Sequence, residues 1–116
     1  VNLASIYGSS APDFSIYKDT DMTMPIEYAA IKSAIIHMNK YVASFVSNSL
    51  FWVNSVSPGG LKSGQPKSFM DSYAKKTLGH GMILPKDVTG SIIFLLSDAS
   101  SYINGQDIVV DDGFSL

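Results

Sequence analysis

The chain has 116 residues, 46% apolar and 16% charged, so it can bury a real core and is too apolar to be disordered. A net charge of −2 without a basic block argues against nucleic-acid binding, and with no Arg the bidentate phosphate clamp is missing. There is no Cys for a disulfide or thiolate metal site, two His are too few for a zinc constellation, and no apolar run reaches the ~18 residues of a membrane span, so neither a metal nor a membrane is expected.

Val1-Asn2-Leu3-Ala4-Ser5 is neither an initiator region nor a signal peptide. It reads as the middle of a buried strand, so a strand is expected over Val1–Ala4 and the chain is expected to be part of a longer protein. Ser9 to Met24 is polar, without a clear period, and predicts a long surface loop of the kind that carries function. A helix follows over Pro25–Ser47, with Thr23 placed to cap it and Pro in its first turn. Ile31, Ile35, Met38, Val42 and Phe45 recur at spacings of four and three. Further apolar residues (Ala29, Ala34, Ile36, Ala43, Val46) make it apolar on most sides, so cover on two faces is expected.

Phe51–Val56 reads as a second strand, closed by Ser57-Pro58-Gly59-Gly60, where Pro removes a ladder donor and the Gly pair permits close backbone approach. Leu61 to His80 is read as loop with a short helix near Ser68–Lys75. A helix over Lys86–Ser97 has Pro85 at its start and Val88, Ile92, Leu95 and Leu96 on one side. The last strand is Asp107–Val110, ended by a turn at Asp111-Asp112-Gly113. Strands alternating with helices imply βαβ crossovers and a parallel sheet.

Tyr28 and Lys32 stand four apart on the first helix, one turn apart on the same face. The pairing has a chemical use. A phenol titrates near pH ~10 in water, and a cation ~5 Å away at an effective dielectric of ~20 favours the phenolate by about 3 kcal/mol. A phenol so placed can exchange protons with an alcohol oxygen near neutrality. The spacing alone is weak, because six Tyr and eight Lys supply roughly 0.4 such pairs by composition. The bland alternative is a half-buried Tyr beside a snorkelling Lys.

The neighbouring segments add specificity. Asn2-Leu3-Ala4-Ser5-Ile6-Tyr7-Gly8, Tyr28-Ala29-Ala30-Ile31-Lys32, Val53-Asn54-Ser55-Val56-Ser57-Pro58-Gly59 and Asn104-Gly105-Gln106 with Val110-Asp111-Asp112-Gly113 stand in that order along the chain. They resemble the NxSSxxG, YxxxK, VNxxxPG and TGQxxxVDGG segments of the short-chain dehydrogenases/reductases, with a feel closest to members resembling flagellin-modification and surface-polysaccharide dehydrogenases.

The resemblance implies an α/β, Rossmann-like doubly wound parallel sheet of which residues 1–116 form the C-terminal part, three parallel strands with helices, without the dinucleotide-binding half. It implies an NAD(P)-dependent oxidoreductase that interconverts a carbonyl and a hydroxyl, including those of sugar or surface-glycan precursors. Tyr28 would be the general acid/base. Lys32 would assist it and hold the nicotinamide ribose, and Ser5 would orient the substrate oxygen. Pro58, Gly59, Gly60 and Leu61 would line the nicotinamide of NAD or NADP, with Ser63 sharing that task. A small-molecule substrate, a homodimer or homotetramer and a cytoplasmic setting are the accompanying expectations. Two alternatives stand beside this reading: an inactive oligomeric remnant lacking the cofactor site, and an extended-type nucleotide-sugar epimerase or dehydratase.

Several departures matter. Ala4 replaces the Ser before Ser5. Ser5 and Tyr28 are 23 apart, where compact members usually show about thirteen. Gly81 and Asp112 stand where Arg and Gly are usual. The GxxxGxG turn and the residue that selects NAD over NADP are not found in this sequence.

Overall fold

Three short strands, β1 (Asn2–Leu3), β2 (Ser55–Pro58) and β3 (Asp107–Val110), pair in parallel in the order β1-β2-β3. They are seen in a computed structural model that describes residues 1–48 and 50–116. The register sets Asn2 opposite Ser55 and runs Ser55–Pro58 against Asp107–Val110. Three neighbouring parallel strands are what the alternation of elements predicts.

The second strand lies further along the chain than its apolar run, at Ser55–Pro58 instead of Phe51–Val56. The reason is local. Val53 donates to Asn104 Oδ1 at 2.9 Å and its carbonyl accepts from Gly105, while the buried Asn54 side chain bonds Ile103 and Gln106. These groups are committed to the 103–106 turn before the ladder begins. Pro58 is tolerated in a central strand because of parity. Asn54 and Val56 accept from β1, so the side of Pro58 lacking N–H also faces β1, which has already ended. β1 is likewise shorter than Val1–Ala4.

Helix α1 (Ile26–Val46) starts after Pro25, which takes the cap position, so Thr23 does not cap it. It ends at Ser47 in the left-handed region, at φ 42°. The expected cover on two faces is not found among the described residues: Asn39 alone is buried, and Ile31, Met38, Tyr41 and Phe45 are exposed. Helix α2 (Lys67–Ala74) and helix α3 (Pro85–Leu95) lie within a residue or two of expectation. Pro85 opens α3, and Asp87 accepts the Leu84 N–H at 2.9 Å. None of the helices is long and apolar enough to cross a membrane among the described residues.

Two cores result. Val56, Ile83, Val88 and Leu95 fill the space between the sheet and α3. Ile16, Tyr17, Phe69 and Tyr73 join the Ser9–Met24 segment to α2. That segment is therefore not a structureless loop. Asp13 accepts the Ser15 N–H and starts a 3-10 turn over Phe14–Tyr17, which buries Ile16 and Tyr17. An ion pair of 2.8 Å between Asp13 and Lys76 fastens the same segment on its outer side. Trp52, for which a core position is the natural expectation, is 42% exposed.

Candidate active site

The carboxyl ends of β1 and β2 open on one side into a cavity of about 410 Å³. Open parallel sheets bind ligands at such ends. Ser5 lies two residues past the end of β1 and is buried; its Oγ accepts the Tyr7 N–H at 3.2 Å, starting the 3-10 turn Ile6–Gly8. Gly8 explains how that turn reaches α1. A Cβ there would stand 2.7 Å from the Lys32 carbonyl carbon and 2.8 Å from its oxygen, so no other residue permits this approach. The turn and the first part of α1 are thereby held backbone to backbone.

Tyr28 and Lys32 share a face of α1, and the Lys32 ammonium lies 5.5 Å from the centre of the Tyr28 ring. Its Nζ donates to the Leu3 carbonyl at 2.9 Å, at the end of β1. Tyr28 is 39% exposed at the cavity. At the end of β2, the Gly59 N–H donates to Val110 and the Gly60 N–H to Tyr73 Oη at 2.6 Å. Ile83 donates to Gly60 and Lys62 to Ile83, so Leu61 pairs with Ile83 as a one-residue parallel bridge. That bridge leaves the Leu61 N–H without an acceptor among the described residues.

Ser5, Tyr28, Lys32, Pro58, Gly59, Gly60 and Leu61 all line this cavity. Ser63 does not; it is exposed, and its N–H is taken by Gln65 Oε1 at 2.7 Å. The remaining wall comes from residues that the motifs do not single out. Tyr17, Met22 and Met24 reach it from the Ser9–Met24 segment, and Phe69, Tyr73 and Met82 from α2 and the stretch after it. The four-residue spacing of Phe69 and Tyr73 on a helix was the available signal.

Three buried phenols border the cavity. Burial pushes Tyr7 far above the usual phenol range, reinforced by the hydrogen bond it shares with the Tyr17 hydroxyl at 3.4 Å. Burial raises Tyr17 as well. Tyr73 is pushed up to about 12, chiefly by burial and against the opposing effect of the Gly60 N–H. All three stay neutral at physiological pH.

The two departures at Gly81 and Asp112 meet in space. Asp112 takes a left-handed backbone, at φ 56°, and its Oδ2 accepts the N–H groups of Gly79, His80 and Gly81 at 3.1, 2.5 and 3.0 Å. These bonds, the His80 one first, hold its carboxyl below the usual carboxylate range.

A family model described as enoyl-(acyl carrier protein) reductase matches residues 15–115. Flagellin modification protein A of Campylobacter coli is 39% identical over the whole chain, which covers 45% of that relative. The 7α-hydroxysteroid dehydrogenase of Bacteroides fragilis is 34% identical, again over the whole chain and 43% of its own length. Among solved structures, a short-chain dehydrogenase of Leptospira borgpetersenii with bound NAD+ superposes with a TM-score of 0.88 at 37% identity, over 99% of this chain and 43% of that one. The chain thus spans less than half the length of these relatives. On a family match covering most of its residues, and on a fold shared with these enzymes, the chain belongs to the short-chain dehydrogenases/reductases.

Proposed function

We propose that the intact protein is an NAD(P)-dependent oxidoreductase that interconverts a carbonyl and a secondary hydroxyl, with Tyr28 as general acid/base. The observation that carries this reading is the convergence of Ser5, Tyr28, Lys32 and the Pro58–Leu61 turn on one cavity from three separate stretches of chain. The residues fit a nicotinamide nucleotide. The Leu61 N–H is available as a donor, and Lys32 keeps two N–H groups beyond the one given to Leu3 for ribose hydroxyls. The NAD+ held by the Leptospira relative supports the same cofactor class.

When bound, the reduced nicotinamide supplies the hydride. In the reducing direction the Tyr28 hydroxyl gives its proton to the substrate oxygen as the carbonyl π bond opens. Lys32, one helical turn away, favours the negative charge left on the phenol oxygen. The Ser5 hydroxyl orients the substrate oxygen by a hydrogen bond. Oxidation runs the same steps in reverse.

The similarity to a flagellin modification protein supports a sugar or surface-glycan precursor as substrate. The epimerase and inactive-remnant alternatives are not favoured. The intact protein is further read as a homo-oligomer, on the strength of the exposed apolar side of α1.

Replacing Tyr28 with Phe in the intact protein tests the mechanism. Turnover should fall by roughly a hundredfold or more while KM for substrate changes little. Near-normal turnover removes Tyr28 from the chemistry.

A further inference from the structure

Tyr73 lies outside every motif, yet it touches the turn on which the functional reading depends. It sits near the end of α2, 2% exposed. The hydroxyl-bearing end of its ring lies against the Gly59-Gly60 pair. A Cβ on Gly60 would stand 2.7 Å from the ring, and one on Gly59 2.8 Å from the hydroxyl. A face of the ring stacks on Phe114, with ring centres 4.2 Å apart and planes 10° from parallel. The hydroxyl oxygen takes the Gly60 N–H at 2.6 Å. The ring therefore sets how far the turn stands from α2, and the hydroxyl sets how the Gly60 peptide is rotated. Through Phe69 the contact continues to Tyr17, at 6.1 and then 5.2 Å between ring centres, and so to the far wall of the cavity.

We propose that Tyr73 is a positioning residue for the nicotinamide: by holding the Gly60 amide it orients the Pro58–Leu61 turn toward the cofactor, and it ties that orientation to the seating of α2. The proposal rests on the cofactor reading given above and adds a residue to it. Tyr73 suits the role because its neutral phenol offers the same acceptor at any working pH. Gly59 and Gly60 are then required less for backbone freedom than for the close approach of the Tyr73 ring and hydroxyl.

The test uses the intact protein, its Tyr73→Phe variant and a Phe114→Leu control that loosens the stack without removing the hydroxyl. Binding of NADH and of NADPH is followed by cofactor fluorescence, exchange of the Gly60 amide by NMR, and stability by thermal unfolding. In Tyr73→Phe the Gly60 amide should exchange faster. The Kd of the preferred cofactor should rise roughly threefold to tenfold, the range of one hydrogen bond. Phe114→Leu should lower Tm with a smaller change in Kd. Unchanged Kd in Tyr73→Phe overturns the proposal and leaves the functional reading intact, as does a Kd that merely tracks Tm across both variants. A wild-type protein that binds neither nucleotide overturns the cofactor reading and this inference together.

Discussion

At the scale of single residues, the site depends on contacts that admit one side chain each. Gly8 is one. Replacing it with Ala drives a methyl group into the backbone of Lys32, which cannot yield as a flexible side chain would. The expected loss is about 1–3 kcal/mol, the usual range for overpacking. Activity should fall with it, because the Ser5 turn must leave α1. Denaturant titration and a rate assay of the intact Gly8→Ala protein check both, and native stability would show that the turn is not held as described. Asp112 is another. Asp112→Asn tolerates the left-handed backbone while removing the charge that three N–H groups surround. Because the native carboxyl titrates below its ordinary value, its contribution is present above the usual carboxylate range near pH ~4 and is lost as pH falls below it. The variant should therefore have the lower Tm at neutral pH, and the gap should close in acid.

At the scale of elements, the Ser9–Met24 segment shows where composition misleads. Its Ser, Thr and Asp residues read as a solvated loop, and Asp13 does cap a turn in the way such residues favour. The burial of Ile16 and Tyr17 comes from α2, some fifty residues later, and no local period encodes it. Ile16 is 1% exposed, so Ile16→Ala should cost about 2–4 kcal/mol through the cavity left behind. It should also make residues 9–24 the first site of proteolysis. An unchanged cleavage pattern would mean that the segment is held by its ends and by the Asp13–Lys76 pair instead. Helix α1 teaches the opposite lesson. Its apolar period was legible, yet the described residues cover only one side of it.

For the whole molecule, shape and buried phenols make two further predictions. The radius of gyration is 15.4 Å, against about 13 Å for a compact domain of this size, and the long dimension is 49 Å. Such a form leaves Ile31, Met38, Tyr41 and Phe45 exposed along α1, with Tyr41 and Phe45 stacked on each other. The intact protein should self-associate through an interface well above ~1,000 Å². Light scattering that finds a monomer at high concentration would contradict this. The phenols set the alkaline limit. Tyr73 ionises at about 12 in the fold, whereas an unfolded phenol ionises near ~10. The folded pKa is raised, so the stabilisation is complete below pH ~10 and is lost as pH rises toward 12, about 3 kcal/mol for Tyr73 alone. Tyr7 and Tyr17 act in the same direction. Unfolding midpoints measured between neutral pH and 12 should fall steeply from about 10 onward, and less steeply in Tyr73→Phe.

Much of this was decided by the sequence itself. The alternation of strands and helices, the periodic α1, the four-residue step from Tyr28 to Lys32 and the Pro58-Gly59-Gly60 turn all rest on interactions between near neighbours, which residue spacing records. Other features needed the tertiary structure. That Tyr73 faces inward, that β2 starts only after Asn54 has been consumed by the 103–106 turn, and that Asp112 occupies the nest of N–H groups beside Gly81 depend on partners at least a dozen residues away. Such pairings follow from how the two cores close, and chain folding alone brings those groups together.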